Sequence, residues 1–189
     1  MNEDRERVAA LYKQIAAAHE ELRKIQRTGA LGEVEDYVLG TLDGDVKLSE
    51  LFGDQADLIL IHNMGRRCSY CTMWADGFVG LEPHLRDRAA LVIATPDAPA
   101  VQQDFATGRG WPFRMVSTQH SSLKRDLGFE KEDGEQGPGV SLFHRDEGGT
   151  IRHVGSDWFG PGDVYNGAWH LFARLEGGTG EWQPKLSYS

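Results

Sequence analysis

One juncture constrains this chain more than any other. Leu58-Ile-Leu-Ile61 is a continuous apolar run, rich in isoleucine, of the kind that suits a central strand covered on both faces. Asn63-Met-Gly65 breaks it, and Cys68-Ser-Tyr-Cys71 follows at once. From Cys71 to about Arg88 the spacing of Met73, Trp74, Phe78, Leu81 and Leu85 predicts a helix, weakened by Gly77 and Gly80 and interrupted at Pro83. The C-x-x-C therefore lies where a buried strand hands over to a helix. These are the only two cysteines in 189 residues, and random placement would space them by three about one time in a hundred.

The flanking patterns extend this unit. Residues 4 to 27 read as one amphipathic helix, with Val8, Leu11, Tyr12, Ile15, His19, Leu22 and Ile25 recurring at spacings of three and four. Acidic Asp4 and Glu6 near its start and basic Lys24 and Arg27 near its end suit the helix dipole, and Gly29 is its expected stop. The apolar stripe is read as packing on the helix's own domain, with a homodimer contact as the alternative. Two short strands around Asp43-Gly44 predict a hairpin, because glycine supplies the positive φ of the turn. Ser49–Gly53 reads as one helical turn.

Ala89–Ala94 is a second buried strand, and Pro96 to Gly108 a helix with Val101 and Phe105 facing inward. Phe113–Ser117 is a short strand and Ser121–Leu127 a short helix closing at Gly128. Val140–His144 and Ile151–Val154 form a hairpin across Asp146–Gly149, and Asp163–Arg174 forms a last helix. Strands alternating with helices imply an α/β fold, a mixed central sheet with helices on both faces. The organisation expected is an N-terminal helix at 1–29, one α/β domain at 30–175, and a glycine-rich, poorly ordered tail at 176–189.

Composition narrows the function. Apolar residues make up 40% and charged residues 26%, a globular balance, and no run approaches the roughly 18 apolar residues of a membrane span. Twenty Lys and Arg against 29 Asp and Glu give a net charge of -9, which argues against nucleic-acid and anionic-membrane partners. The charged N-terminus lacks a signal-peptide core, so a cytoplasmic protein is expected, and there two cysteines gain no lasting structural disulfide.

The chemistry follows from the position of the cysteines. A helix N-terminus favours the thiolate, which is the reactive form, and Arg66 and Arg67 immediately before Cys68 are candidate electrostatic activators. Cys68, at the loop end, is read as the nucleophile that attacks a disulfide. Cys71, one turn in and more buried, is read as the thiol that resolves the mixed disulfide. Two other readings stand beside this one: a pair of small buried residues, or a zinc site completed by His62 and His84. His62 is also a proton acceptor in reach by sequence, or simply the end of a strand. Trp74 is read as core and Asp76 as solvated or capping. Trp111 and Trp158-Phe159 either line a cleft beside Cys68 or cover the edge of the core. No G-x-G-x-x-G opens a helix after a strand and there is no P-loop, so no organic cofactor is implied.

Leu48-Ser-Glu-Leu-Phe-Gly53, Leu58–Met64, Cys68-Ser-Tyr-Cys71 with Trp74-Ala-Asp76, Gly110-Trp111, Met115–Ser117, Asp126 before Gly128, Val140–Phe143 and Trp169-His170-Leu171 together resemble one family. It is the set of bacterial thioredoxin-like proteins filed as domain of unknown function eight-ninety-nine, and the resemblance covers residues 30 to 175. It implies a thioredoxin-like fold of the elaborated, peroxiredoxin-like kind, with an N-terminal helix and β-hairpin extension, and carries no settled activity. The peroxiredoxin pattern P-x-x-x-[TS]-x-x-C fits neither cysteine: Gly65 and Ile61 stand before Cys68, and Cys68 and Met64 before Cys71. The arginine of that pattern would fall near Gly139. Thioredoxins proper carry W-C-G-P-C and a cis-proline, whereas this chain has Arg67 before the pair and Pro138 two residues ahead of its late strand. Thiol–disulfide exchange is therefore expected, on a disulfide-containing protein or small-molecule thiol with an external reductant. A thiol peroxidase and a metal-holding or redox-sensing module are the alternatives.

Overall fold

A computed structural model describes residues 2–28 and 32–188. Helix α1 (Asn2–Thr28) opens the chain, with Glu3 and Asp4 in its first turn. The strands are β1 (Gly32–Glu33), β2 (Val38–Thr41), β3 (Gly44–Lys47), β4 (Asp57–His62), β5 (Ala90–Thr95), β6 (Arg114–Ser117), β7 (Gly139–Arg145) and β8 (Ile151–Trp158). The later helices are α2 (Ser69–Val79), α3 (Glu82–Arg88), α4 (Pro99–Arg109), α5 (Leu123–Asp126) and α6 (Gly167–Phe172), and a 3-10 helix spans Leu48–Phe52.

The eight strands form one sheet in the order β1-β8-β7-β4-β5-β6-β2-β3. β4 lies at its middle, parallel to β5 and antiparallel to β7, with Leu60 opposite Val92 on one side and Ser141 on the other. The side-chain period of two splits each central strand between two cores. Leu58, Leu60, Val92 and Ala94 join Leu48, Phe52 and Leu123 on one face. Ile61, Leu91 and Ile93 join Trp74, Phe78 and Ala106 on the other, under α2 and α4. This two-sided burial is why both strands read as unbroken apolar runs.

Several details differ from the sequence expectations. The helix expected from Cys71 to Arg88 is two helices. The break falls at Gly80, and Pro83 sits in the first turn of α3, where its missing N–H costs no helical bond. Leu42 and Asp43 form the turn of the first hairpin and Gly44, at φ +114°, opens β3. On α4 the fully buried residues are Gln102 and Ala106, while Val101 and Phe105 are half-buried. Gln102 Nε2 is buried because it donates to the carbonyls of Thr95, Asp97 and Val116. The last helix is shorter than its pattern.

Two larger corrections concern the ends. The apolar stripe of α1 is only partly covered by its own domain: Val8, Leu11, Tyr12, Ile15, Leu22 and Ile25 are 48–61% exposed, although the later part of the helix lies against β8. Contacts of the helix with the body include Gln26, whose Nε2 donates to Ser156 O, and Tyr12, whose hydroxyl accepts from Arg174. The expected stop at Gly29 lies outside the described residues. The C-terminal segment is docked rather than loose. Trp182 packs edge-on against Trp169 and Phe172, Pro184 is buried, and Leu186 O accepts from Arg109 Nη1.

Candidate functional site

The site is built where β4 ends. Continuing the chain past His62, Asn63 is still tied to the sheet, its N–H donating to Ala94 O at 2.9 Å. Asn63 Oδ1 then accepts from Gly65 N at 2.8 Å, and the backbone turns at Gly65 with φ +101°. A side chain there would be strained at that φ, and its Cβ would come 2.8 Å from Asp97 Oδ2, displacing the carboxylate. That carboxylate accepts from Arg66 N at 2.7 Å and pins the loop from the end of β5. Cys68 N donates to Gly65 O, closing the turn, and Cys68 becomes the N-cap of α2.

As N-cap, Cys68 does with sulfur what serine does with oxygen. Its Sγ accepts from Cys71 N at 3.0 Å, while its carbonyl accepts from both Thr72 N and Thr72 Oγ1. Cys68 is half-buried and Cys71 is only 3% exposed. Cys71 Sγ accepts from Met64 N at 3.4 Å, and Asn63 Nδ2 reaches Cys71 O at 3.5 Å. One thiol is thus open to a partner and the other waits behind it.

Their acidities diverge. Cys68 is lowered from an ordinary 9 to about 7. The largest cause is the hydrogen bond that the Cys71 thiol gives its thiolate. Burial opposes this, and the backbone N–H groups of Cys71 and Tyr70 and the charge of Lys124 add to it. Cys71 is driven far upward, first by that same hydrogen bond and then by burial and the adjacent negative charge. The pair separates into a nucleophile ionised near neutrality and a protonated neighbour.

The other residues named from sequence fall into place around this pair. Arg66 and Arg67 are exposed, and neither is among the charges that act on Cys68. The cation that does act is Lys124, on α5, fully buried at 0% exposure, with Nζ donating to Asn63 O at 3.0 Å. Burial lowers its own value to about 8, against the pull of Cys71, Glu130 and Cys68. A lysine in an amphipathic helical turn reads as a solvated residue, so the sequence holds no signal for it.

His62 is buried and stacks on Phe129 with ring centroids 3.9 Å apart. Its Nε2 lies 2.8 Å from Ser141 Oγ, and burial first, then Lys124 and His153, keeps it neutral by lowering its pKa well below the usual range. It closes a strand inside the core and is not a proton acceptor facing solvent. Trp74 is core, packed on Phe159 and Tyr70. Asp76 is neither merely solvated nor a cap: it accepts from Arg109 and from Trp111 Nε1, tying α2 to α4 and the loop that follows. Trp111 and Phe159 cover the core edge, whereas Trp158 lies exposed against Phe129. His84 is exposed on α3, and among the described residues no three His, Cys, Asp or Glu side chains gather as a metal-ligand set. No peptide bond among the described residues is cis, so Pro138 is trans.

Residues 2–186 match the family described as bacterial protein of unknown function (DUF899). The chain finds no match among curated proteins. Among solved structures it is similar to the peroxidoxin BcpB of Mycobacterium tuberculosis. The TM-score is 0.54 at 21% identity, covering 67% of this chain and 82% of that one. It is similar to the 2-Cys peroxiredoxin of Plasmodium vivax, with TM-score 0.50, 13% identity and coverage of 67% and 83%. It is also similar to peroxiredoxin Q of Xanthomonas campestris, with TM-score 0.50, 20% identity and coverage of 64% and 78%. At these identities the likeness is one of fold: a thioredoxin-like α/β sheet of the peroxiredoxin kind. No helix among the described residues is long and apolar enough to cross a membrane.

Proposed function

For this chain, which belongs to the bacterial DUF899 family, we propose thiol–disulfide exchange, with Cys68 as nucleophile and Cys71 as resolving thiol. The observation that carries the reading is the asymmetric pair at the start of α2. Cys68 caps the helix, is half-exposed and ionises near neutrality, and Cys71 lies one turn in, buried and protonated. The Cys68 thiolate attacks one sulfur of a substrate disulfide and forms a mixed disulfide, releasing the other half as a thiolate. Cys71 then loses its proton to solvent or to that released thiolate and attacks Cys68 Sγ. The second half of the substrate leaves, and an external dithiol restores the reduced pair. The partner is a disulfide-bearing protein or a small-molecule disulfide.

Peroxide reduction is supported less well. It requires a cysteine environment activated by the peroxiredoxin residue pattern, which neither cysteine has. Gly139, where the arginine of that pattern would fall, has no room for a side chain: a Cβ would meet the Phe129 ring at 2.3 Å and Asp157 O at 2.4 Å.

The test is a pair of variants assayed on a disulfide substrate and on peroxide. Cys68→Ser abolishes exchange, and Cys71→Ser accumulates a covalent mixed disulfide at Cys68. Full activity in both variants would make the dithiol mechanism wrong. Rapid peroxide turnover, with sulfenic acid forming on Cys68 in Cys71→Ser, would move the assignment to a peroxidase.

A further inference from the structure

The interior on this side of the sheet holds basic side chains that exchange chemistry does not by itself require, Lys124 and His62 near the end of β4 and His153 further along, opposite Phe143. Lys124 from α5, His62 from β4 and His153 from β8 all sit in the interior. His62 Nδ1 and His153 Nε2 have no hydrogen-bond partner. Among the described residues no carboxylate lies within ion-pair distance of Lys124, and Glu130 acts on it only from further away. Burial leaves both histidines neutral, helped at His62 by the charges of Lys124 and His153, so the one charge in this interior is the ammonium. A buried ammonium without an anion is costly.

The contacts of Lys124 show where an anion would serve it. Nζ donates to Asn63 O at 3.0 Å. The same peptide group, Asn63 C=O to Met64 N–H, donates at its other end to Cys71 Sγ at 3.4 Å. A cation on the carbonyl of a peptide polarises its N–H, so the hydrogen bond to sulfur strengthens when that sulfur is negative. Asn63 also touches both arms of the loop, through Gly65 N and Cys71 O.

We propose that Lys124 is the buried counter-charge of the dithiol, acting through the Asn63–Met64 peptide. Its ammonium holds the Cys71 thiolate once Cys68 is bound in a mixed disulfide, and adds its field to the other groups that favour the Cys68 thiolate in the resting protein. The inference rests on the exchange reading above and gives that site its positioning residue. Lys124 keeps its three protons throughout: the Cys71 proton goes to solvent or the released thiolate, and the electron pair of the broken Cys68–substrate bond leaves with the substrate thiolate. When the internal disulfide forms, the thiolate vanishes and the ammonium is left unpaired. Oxidation therefore weakens the hold of Lys124 on its proton.

The test uses Lys124→Met, which keeps the length and removes the charge. Thiolate absorbance against pH, in reduced protein, reads Cys68 directly. The midpoint rises by about half a unit. At pH 7.5, where Lys124 is still mostly protonated, the dithiol–disulfide equilibrium shifts about twofold toward the disulfide, equivalent to about 10 mV. Protein blocked at Cys68 as a small mixed disulfide releases the blocking thiol more slowly in the variant. An unchanged thiolate midpoint and unchanged release in a folded variant overturn the proposal while leaving the exchange reading intact. Wild-type protein that never forms the internal disulfide overturns the exchange reading instead, and the thiolate midpoint still tests Lys124. If Lys124→Met does not fold, the Nζ resonance of Lys124 in wild-type protein decides. Its titration midpoint is lower in the disulfide form than in the dithiol form, and an identical midpoint in both overturns the proposal.

Discussion

Cys68 and Cys71 are the same side chain three residues apart, and their difference is wholly one of surroundings. The first accepts backbone N–H groups at a helix start, and the second faces inward against the peptide of Met64. This predicts a selective reactivity. Alkylation of native reduced protein modifies Cys68 alone, with a rate that rises through a midpoint near pH 7 rather than 9, while Cys71 stays unmodified until the chain unfolds. Peptide mapping after a pH series checks both parts. The pair itself is legible in the sequence because C-x-x-C spacing is rare by chance and its position after an apolar strand is diagnostic. What bears on its charge is not. Arg66 and Arg67 are adjacent in sequence yet exposed, and Lys124, 53 residues beyond Cys71, reaches the site only because α5 packs beneath the end of β4. Sequence adjacency is a poor guide to electrostatics because a flanking side chain points to water unless something closes over it.

At the scale of elements, the juncture of β4 and α2 was readable because its signals agree. An unbroken apolar run needs two covered faces, and a polar break followed by amphipathic spacing needs a helix. The break at Gly80 and the docking of the tail were less so. Helix ends depend on which turn the tertiary packing rewards, and the tail is held by Trp182 against Trp169 and by Arg109 on Leu186 O, contacts that span up to 77 residues. Helix α1 shows the limit of periodicity: its stripe marks a face, and the face is exposed. Since the apolar stripe of α1 stays about half-exposed, removing residues 1–28 changes the unfolding free energy by less than about 1 kcal/mol and leaves the alkylation profile of Cys68 unaltered. Denaturant unfolding of the truncated chain checks this. A large loss of stability would mean that α1 is integral to the core.

For the whole molecule, buried neutral histidines set a dependence on pH. His62 and His153 are held below the ordinary histidine range chiefly by burial. Below about pH 6.5 the unfolded chain binds protons at both positions and the folded chain does not, so stability falls as pH falls. The slope approaches about 1.4 kcal/mol per pH unit for each histidine that stays neutral when folded. His153→Phe, which keeps the ring stacked on Phe143, flattens the dependence by up to one proton, as measured by unfolding between pH 7.5 and 5. An equal slope in the variant would show that His153 takes up its proton in the folded state. The sheet, its two cores and the buried Lys124 thus meet at the end of β4, where the dithiol sits. The most direct test of that account is to equilibrate the protein in a graded series of glutathione redox buffers and count free thiols by mass. The account predicts that Cys68 and Cys71 disappear and return together in one reversible two-electron step. Thiols that stay reduced across the series, or a glutathione adduct that remains on Cys68 without closing onto Cys71, would contradict it.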